Sequence, residues 1–134
     1  MKIFFNASLT GKKLYKSNYL AIIDQLEKLG HTITSAPVKT NEITKVAQAS
    51  QQQAEKYYED LMKSIAAADI NVFEVSYPST GIGHEIAVSL HKGKPVIALY
   101  VKGKNPYIFD SVIDEKLQVL EYRINELDTL LKDA

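Results

Sequence analysis

The stretch of the chain with the most chemical potential is Pro78-Ser79-Thr80-Gly81-Ile82-Gly83-His84-Glu85. Its two glycines let the backbone turn tightly and approach a ligand closely. The turn runs into a helix predicted from about Gly83 to Lys92, and the free N–H groups at a helix start attract anions. Glu85 then falls in the first turn, where the helix dipole favours the ionised carboxylate. A carboxylate held ionised beside a crevice can act as a nucleophile or stabilise a cationic transition state. The same spacing also describes an ordinary first-turn glutamate, and spacing alone does not separate the two. A second acid, Asp60, stands one residue before Leu61 at the edge of a helical apolar stripe. From there it either leans into a pocket or is solvated, as most helix acids are.

Other chemistries find no support. His84-Glu85-Ile86-Ala87-Val88 lacks the second histidine of a zinc-protease helix. His84 and His91 could share a helix face, but two histidines without a third ligand rarely hold a metal. Gly11-Lys12-Lys13 is not a Walker loop, and no Gly-x-Ser-x-Gly elbow occurs. With no cysteine in the chain, disulfides, thiol nucleophiles and Cys-based zinc sites are excluded. Sixteen basic side chains cancel sixteen acidic ones, so a general grip on nucleic-acid polymers or an anionic membrane is not expected. No stretch approaches the roughly 20 apolar residues of a membrane span. Only Ile3-Phe4-Phe5 follow Met1-Lys2 before Asn6, too few for a signal-peptide core. The expectation is a cytoplasmic protein with no metal.

These residues need a scaffold. At 134 residues, 46% apolar and 24% charged, the chain fits one domain spanning 1–134. Apolar runs at 2–7, 69–75 and 96–101 read as strands buried on both faces, with shorter strands at 31–34 and 117–122. Helical spacing runs through Leu14, Tyr15, Tyr19, Ile22, Ile23, Leu26 and Leu29 to a stop at Gly30. A long helix is predicted from a cap at Asn41 to about Ala67, its stripe including Ile43, Val46, Ala47, Tyr57, Leu61 and Ile65. The segment 123–132 has helical spacing, and 106–113 has no clear pattern. Alternating strands and helices give an α/β three-layer sandwich: a five-stranded parallel sheet of order 2-1-3-4-5, flavodoxin-like or Rossmann-like. In that order the winding reverses between strands one and three, and ligands bind at the carboxyl ends there. The loop after Asn6-Ala7-Ser8 should therefore face the loop at Tyr77-Pro78-Ser79 across one crevice.

In order and spacing these pieces resemble the nucleoside 2-deoxyribosyltransferase superfamily, and within it the 2′-deoxynucleoside 5′-monophosphate N-glycosidases. The resemblance runs from Phe4 to about Tyr100. Phe4-Phe5-Asn6-Ala7-Ser8-Leu9 resembles the family's first strand and Gly-Ser loop. Glu59-Asp60-Leu61 with Ala68-Asp69 resembles the helix of its catalytic aspartate. Pro78-Ser79-x-Gly81-x-Gly83-x-Glu85 resembles the signature of its nucleophilic glutamate, and Gly93-Lys94-Pro95-Val96 the turn into its fourth strand. The resemblance implies cleavage of the N-glycosidic bond of a (deoxy)nucleoside or its 5′-monophosphate, by hydrolysis or base exchange, with no cofactor. Glu85 would attack the anomeric carbon, and Asp60 would orient it or the sugar and assist proton transfer to the base. Phe4, Asn6, Ser8, Thr10, Ser79, Gly81 and Gly83 would form the substrate-binding surface. Phe4 stands where the family usually has tyrosine, and Thr10 where the phosphate-binding hydrolases have arginine, with Lys12 and Lys13 the nearest replacement charges. These two departures also suit a nucleotide-binding module without turnover. Ser8-Leu9-Thr10-Gly11-Lys12 resembles a flavodoxin phosphate loop as well, which would imply an FMN carrier. The family resemblance implies a homodimer in which 105–111 completes the neighbour's pocket.

Overall fold

Five short runs of apolar and β-branched residues make the sheet, and the helices between them cover both faces. The computed structural model describes residues 1–40 and 50–132. In chain order the elements are β1 (Lys2–Ala7), α1 (Lys12–Lys28), β2 (Thr32–Ser35), α2 (Pro37–Thr40) and α3 (Gln51–Ala67), then β3 (Ile70–Glu74), α4 (Thr80–His91), β4 (Val96–Val101), β5 (Leu117–Tyr122) and α5 (Leu127–Lys132). All strand pairings are parallel and the order is β2-β1-β3-β4-β5, as the sequence pattern predicts.

Successive strand residues point to opposite faces, and two cores follow from that alternation. Ile3 and Phe5 of β1, Val72 of β3 and Leu99 of β4 pack with Tyr19, Ile22 and Leu26 of α1 and Leu127 and Leu131 of α5. On the other face Phe4, Phe73 and Ala98 pack with Ile65 of α3 and Ile82 and Ile86 of α4. Asn6 shares the face of Phe4, and Glu74 shares the face of Val72.

Several boundaries differ from the sequence expectation, each for a local reason. α1 begins at Lys12, and Leu14 is exposed instead of joining the stripe. Its stop is as expected, with Gly30 at φ 92°. The third helix begins at Gln51, because Ser50 forms a capping box. Its hydroxyl accepts the Gln53 N–H at 3.2 Å while the Gln53 side chain accepts the Ser50 N–H at 3.0 Å. Asn41 and the stripe positions Ile43, Val46 and Ala47 lie outside the described residues. The segment 106–113 contains a 3₁₀ turn at Ile108–Ser111, and another at Ile124–Glu126 precedes α5. Among the described residues no helix is long and apolar enough to cross a membrane.

Candidate active site

The loops at the carboxyl ends of β1 and β3 touch, as the winding of the sheet requires. β1 pairs with β3 up to Ala7 beside Glu74. Beyond it, the Ser8 hydroxyl oxygen accepts the Gly11 N–H at 3.0 Å, and the Tyr19 hydroxyl donates to the Ser8 carbonyl at 3.0 Å. A Cβ on Gly11 would lie 2.5 Å from Tyr77 Cβ, so glycine is what lets the two loops close on each other. The β3 loop is held from below by Glu74. Its buried carboxylate accepts the Ser76 N–H at 2.6 Å, the Ser76 hydroxyl at 3.0 Å and the Tyr122 hydroxyl at 2.6 Å. Ser76 Oγ in turn accepts the Val101 N–H at 2.8 Å. The ends of β3, β4 and β5 are thus tied together beneath the crevice. Burial pushes the Glu74 carboxyl above its ordinary value, and the bonds from Tyr122 and Ser76 pull it partly back. Sequence reasoning missed this group, whose one signal is a carboxylate inside the apolar run Ile70-Asn71-Val72-Phe73-Glu74-Val75.

α4 starts at Thr80, three residues before its predicted start, because the Ser79 hydroxyl accepts the Ile82 N–H at 3.2 Å and caps it. Gly81 and Gly83 therefore lie in the first turn and Glu85 in the second. The dipole expectation for Glu85 is corrected accordingly. Glu85 is 3% exposed, and burial pushes its carboxyl from 4.5 up to about 7 against the opposing pull of Asn6. Asn6 Nδ2 donates to Glu85 Oε1 at 2.8 Å, a bond spanning 79 residues of sequence. The Glu85 carbonyl accepts from the Ser89 hydroxyl at 2.7 Å, which itself accepts from Asn71 Nδ2 at 3.0 Å. Both the side chain and the backbone of Glu85 are therefore anchored to the sheet. Apart from its chain neighbours and the helix's own backbone, no described atom lies within 4 Å of the place a Cβ on Gly83 would occupy, so the start of α4 is open to close approach.

The remaining predicted residues have mixed positions. Phe4 is buried against Phe73, ring centroids 5.9 Å apart, as part of the floor beneath Asn6. Ser8 is buried with its oxygen on Gly11 N–H, which takes one hydroxyl from the phosphate-loop reading, while Thr10 is exposed. Lys12 Nζ donates to the Val38 carbonyl of α2 at 2.8 Å. Asp60 is exposed and paired with Lys56 Nζ at 2.9 Å on its own helix. The residues of that turn packed toward the apolar floor are Leu61 and Met62. The structure thus brings Asn6 to Glu85, whereas Asp60 and Glu85 share no partner. Between α3 and α4 the Tyr58 hydroxyl and His84 Nε2 lie 2.8 Å apart, a link the sequence did not signal. A hollow of about 600 Å³ opens beside the start of α4, lined by Tyr77, Ser79, Thr80, Gly83, Pro106 and Phe109. Its size suits a nucleotide-sized ligand, though Glu85 and Asn6 are not among its lining residues. Another, of about 400 Å³, lies by Ile70, Pro95 and Lys116 at the amino ends of the strands, away from Glu85. Among the described residues no group of three or more His, Asp or Glu could hold a metal.

A buried carboxylate behind a glycine-opened helix start, on this sheet order, narrows the comparison with known proteins. The 2′-deoxynucleoside 5′-phosphate N-hydrolase 1 of Syntrophotalea carbinolica is 33% identical over 136 residues, covering 100% of this chain and 94% of the relative. This chain belongs to the 2′-deoxynucleoside 5′-phosphate N-hydrolase family. A second member of that name, from Thermofilum pendens, is 32% identical over 76% of this chain and 69% of its own. The 5-hydroxymethyl-dUMP N-hydrolase of Rattus norvegicus is 24% identical over 96% of this chain and 81% of its own. Among solved structures, the 2-deoxyribosyltransferase of Bacillus psychrosaccharolyticus superposes with TM-score 0.70 at 25% identity, over 96% of this chain and 90% of that one. The CMP N-glycosidase of Clostridium botulinum, at TM-score 0.64 and 20% identity over 98% and 97% of the two chains, shares the fold. No protein-family model matches the chain.

Proposed function

We propose that this N-hydrolase family member cleaves the N-glycosidic bond of a 2′-deoxynucleoside 5′-monophosphate with Glu85 as nucleophile. The observation that carries the reading is the buried Glu85 held by Asn6 at 2.8 Å behind the glycine-lined start of α4. In the first step a Glu85 oxygen bonds to C1′ of the sugar as the C1′–N bond breaks. The bonding pair leaves with the base, which takes up a proton. The transition state is oxocarbenium-like, and the adjacent carboxylate offsets its charge. In the second step water attacks C1′, the ester bond to Glu85 breaks, and the water's proton is released, which regenerates the carboxylate. The 5′-phosphate is assigned to the start of α4, where the first amides have no helical acceptor and Gly83 leaves room. The names of the relatives support this substrate class. Base exchange is the second reading, favoured by the likeness to the 2-deoxyribosyltransferase. In that case a second base replaces water at C1′.

The proposed surface also includes Phe4 as floor, Ser8 and Thr10 in the β1 loop and Ser79 at the cap. Asp60 enters the chemistry only if its carboxylate leaves Lys56. The whole chain acts as one domain, and a homodimer is proposed from the apolar loop after β4. The test is free base, detected by chromatography, from a panel of deoxynucleosides and deoxy- and ribonucleoside 5′-monophosphates, with and without an added second base. Release from deoxynucleoside monophosphates that disappears in Glu85→Gln, with circular dichroism unchanged, is expected. Undiminished release in that variant overturns the assignment of the nucleophile.

A further inference from the structure

We propose that Asn6 is a positioning residue for the carboxylate of Glu85: its Nδ2–H group pins Oε1, leaves Oε2 as the oxygen presented to C1′, and selects the anion over the acid. This rests on Glu85 being the nucleophile and adds what prepares it. Asn6 sits on β1 opposite Phe73 of β3 and is 2% exposed, so the donor is carried by a paired, buried strand. A group on a rigid strand aims its partner better than one on a loop. The second anchor, from Asn71 through Ser89 to the Glu85 carbonyl, fixes the backbone of Glu85. Asn6 therefore decides the remaining freedom, the orientation of the carboxylate plane.

The neighbouring ionisable groups do not take over this role. On α4 itself His84 meets Tyr58 of α3, and on α3 Asp60 meets Lys56. On β3 Glu74 lies on the opposite face of the sheet with Ser76 and Tyr122. Of the other titratable side chains on these elements, Glu55, Glu59 and Lys63 of α3 and His91 of α4 are exposed, and Tyr57 of α3 and Tyr77 after β3 are half-buried. Phe4, Phe73, Ile82 and Ile86 complete an apolar surrounding, which by itself favours the protonated acid. An amide N–H bonds the anion more strongly than the neutral acid, and burial raises the carboxyl to about 7 despite it. The same bond serves the whole reaction. When Oε2 is esterified to C1′, Oε1 remains a carbonyl oxygen that accepts from Nδ2, and when water releases the sugar the anion returns to the same donor. Asn6 touches neither sugar nor base in this role.

The experiment compares Asn6→Leu and the milder Asn6→Ser with the parent protein. The first readout is the pH profile of base release from deoxynucleoside monophosphates. The expected result is a drop in kcat of about tenfold to a hundredfold at pH 7, as for a lost hydrogen bond to a charged group. KM should hold within about threefold, since uniform binding is untouched. The acidic limb should move up by about one pH unit, so part of the loss is recovered at pH 9. A rise in KM with an unmoved acidic limb would instead make Asn6 a substrate contact and overturn the proposal. The second readout needs no turnover: the carboxyl ¹³C resonance of Glu85, assigned by its absence in Glu85→Gln, is titrated in parent and Asn6→Ser proteins. An upward move of the midpoint in Asn6→Ser supports the proposal even if every nucleotide proves inert, which would count against the assigned reaction alone. Identical midpoints overturn it even in an active enzyme.

Discussion

At the residue scale the important property of Glu85 is that it is an acid in an apolar place. Its folded carboxyl takes up a proton near pH 7, against an ordinary value of 4.5. Between those values Glu85 binds more proton in the native state than in the unfolded chain, so its contribution to stability is fully present below pH 4.5 and is lost as pH rises through 7. The difference corresponds to roughly 3 kcal/mol, and Glu74, raised in the same direction, steepens the slope. Glu85→Gln keeps an oxygen for the Asn6 donor and removes the ionisation. It is expected to unfold at higher urea than the parent at pH 8 and at nearly the same urea at pH 4.5, followed by circular dichroism. Equal midpoints at pH 8 would mean that Glu85 is solvated. Gly83 shows the same separation of stability from function. A methyl there meets no described atom within 4 Å beyond its chain neighbours and the helix's own backbone, and alanine favours a helix over glycine by up to about 1 kcal/mol. Gly83→Ala is expected to hold or raise the urea midpoint while KM for the nucleotide rises at least about tenfold, because the methyl occupies the ligand's space. A lower midpoint would show that the space is not vacant.

At the scale of elements, the question is which face of α3 reaches the site. One residue along a helix turns a side chain by about 100°. Leu61 packs towards the floor of Phe4 and Ile82, and its neighbour Asp60 is out with Lys56. Asp60→Ala is accordingly expected to keep kcat within about twofold at pH 7, since an exposed ion pair holds little at the site. A hundredfold loss would return Asp60 to the machinery and require its side chain to swing from Lys56. The sequence displayed this helix and its stripe, since Leu61 and Ile65 pack into the core as expected, but left open whether Asp60 at the edge is solvated. The sheet was legible because β1, β3 and β4 are apolar on both parities, and only strands covered on both faces are. That pattern, with the order of winding, brought the Ser8 and Tyr77 loops together before any motif was used. The start of α4 was not legible, because the cap at Ser79 overrode the signal of the two glycines, and the capping box at Ser50 was not read from the sequence. The partners of Glu74 and Glu85 were not legible either. Tyr122 is 48 residues from the first and Asn6 is 79 residues from the second, and such pairs exist only once the sheet has closed.

On the scale of the whole molecule, the chain is balanced in charge, with sixteen groups of each sign, and a cluster of exposed apolar side chains lies in the loop after β4. Tyr107 is 73% exposed at φ 64°, Ile108 is 66% exposed, and Ile113 is fully exposed. Within the same loop Pro106 and Phe109 form one wall of the hollow beside α4. A cluster of exposed apolar side chains next to a site is what a partner surface looks like. The proposed homodimer gives it an occupant, a second copy of the chain that would also cover the open side of the hollow. Light scattering on the parent protein is expected to give the mass of two chains. Ile113→Glu should give the mass of one and lower base release with it, since the hollow would lose its cover. The side chain of Ile113 touches almost nothing within its own chain, so this substitution is not expected to lower the urea midpoint of the isolated chain. A lost dimer can therefore be told from a lost fold. If Ile113→Glu keeps both its mass and its activity, the loop is not the contact. If it becomes a single chain at full activity, the site is complete within one copy.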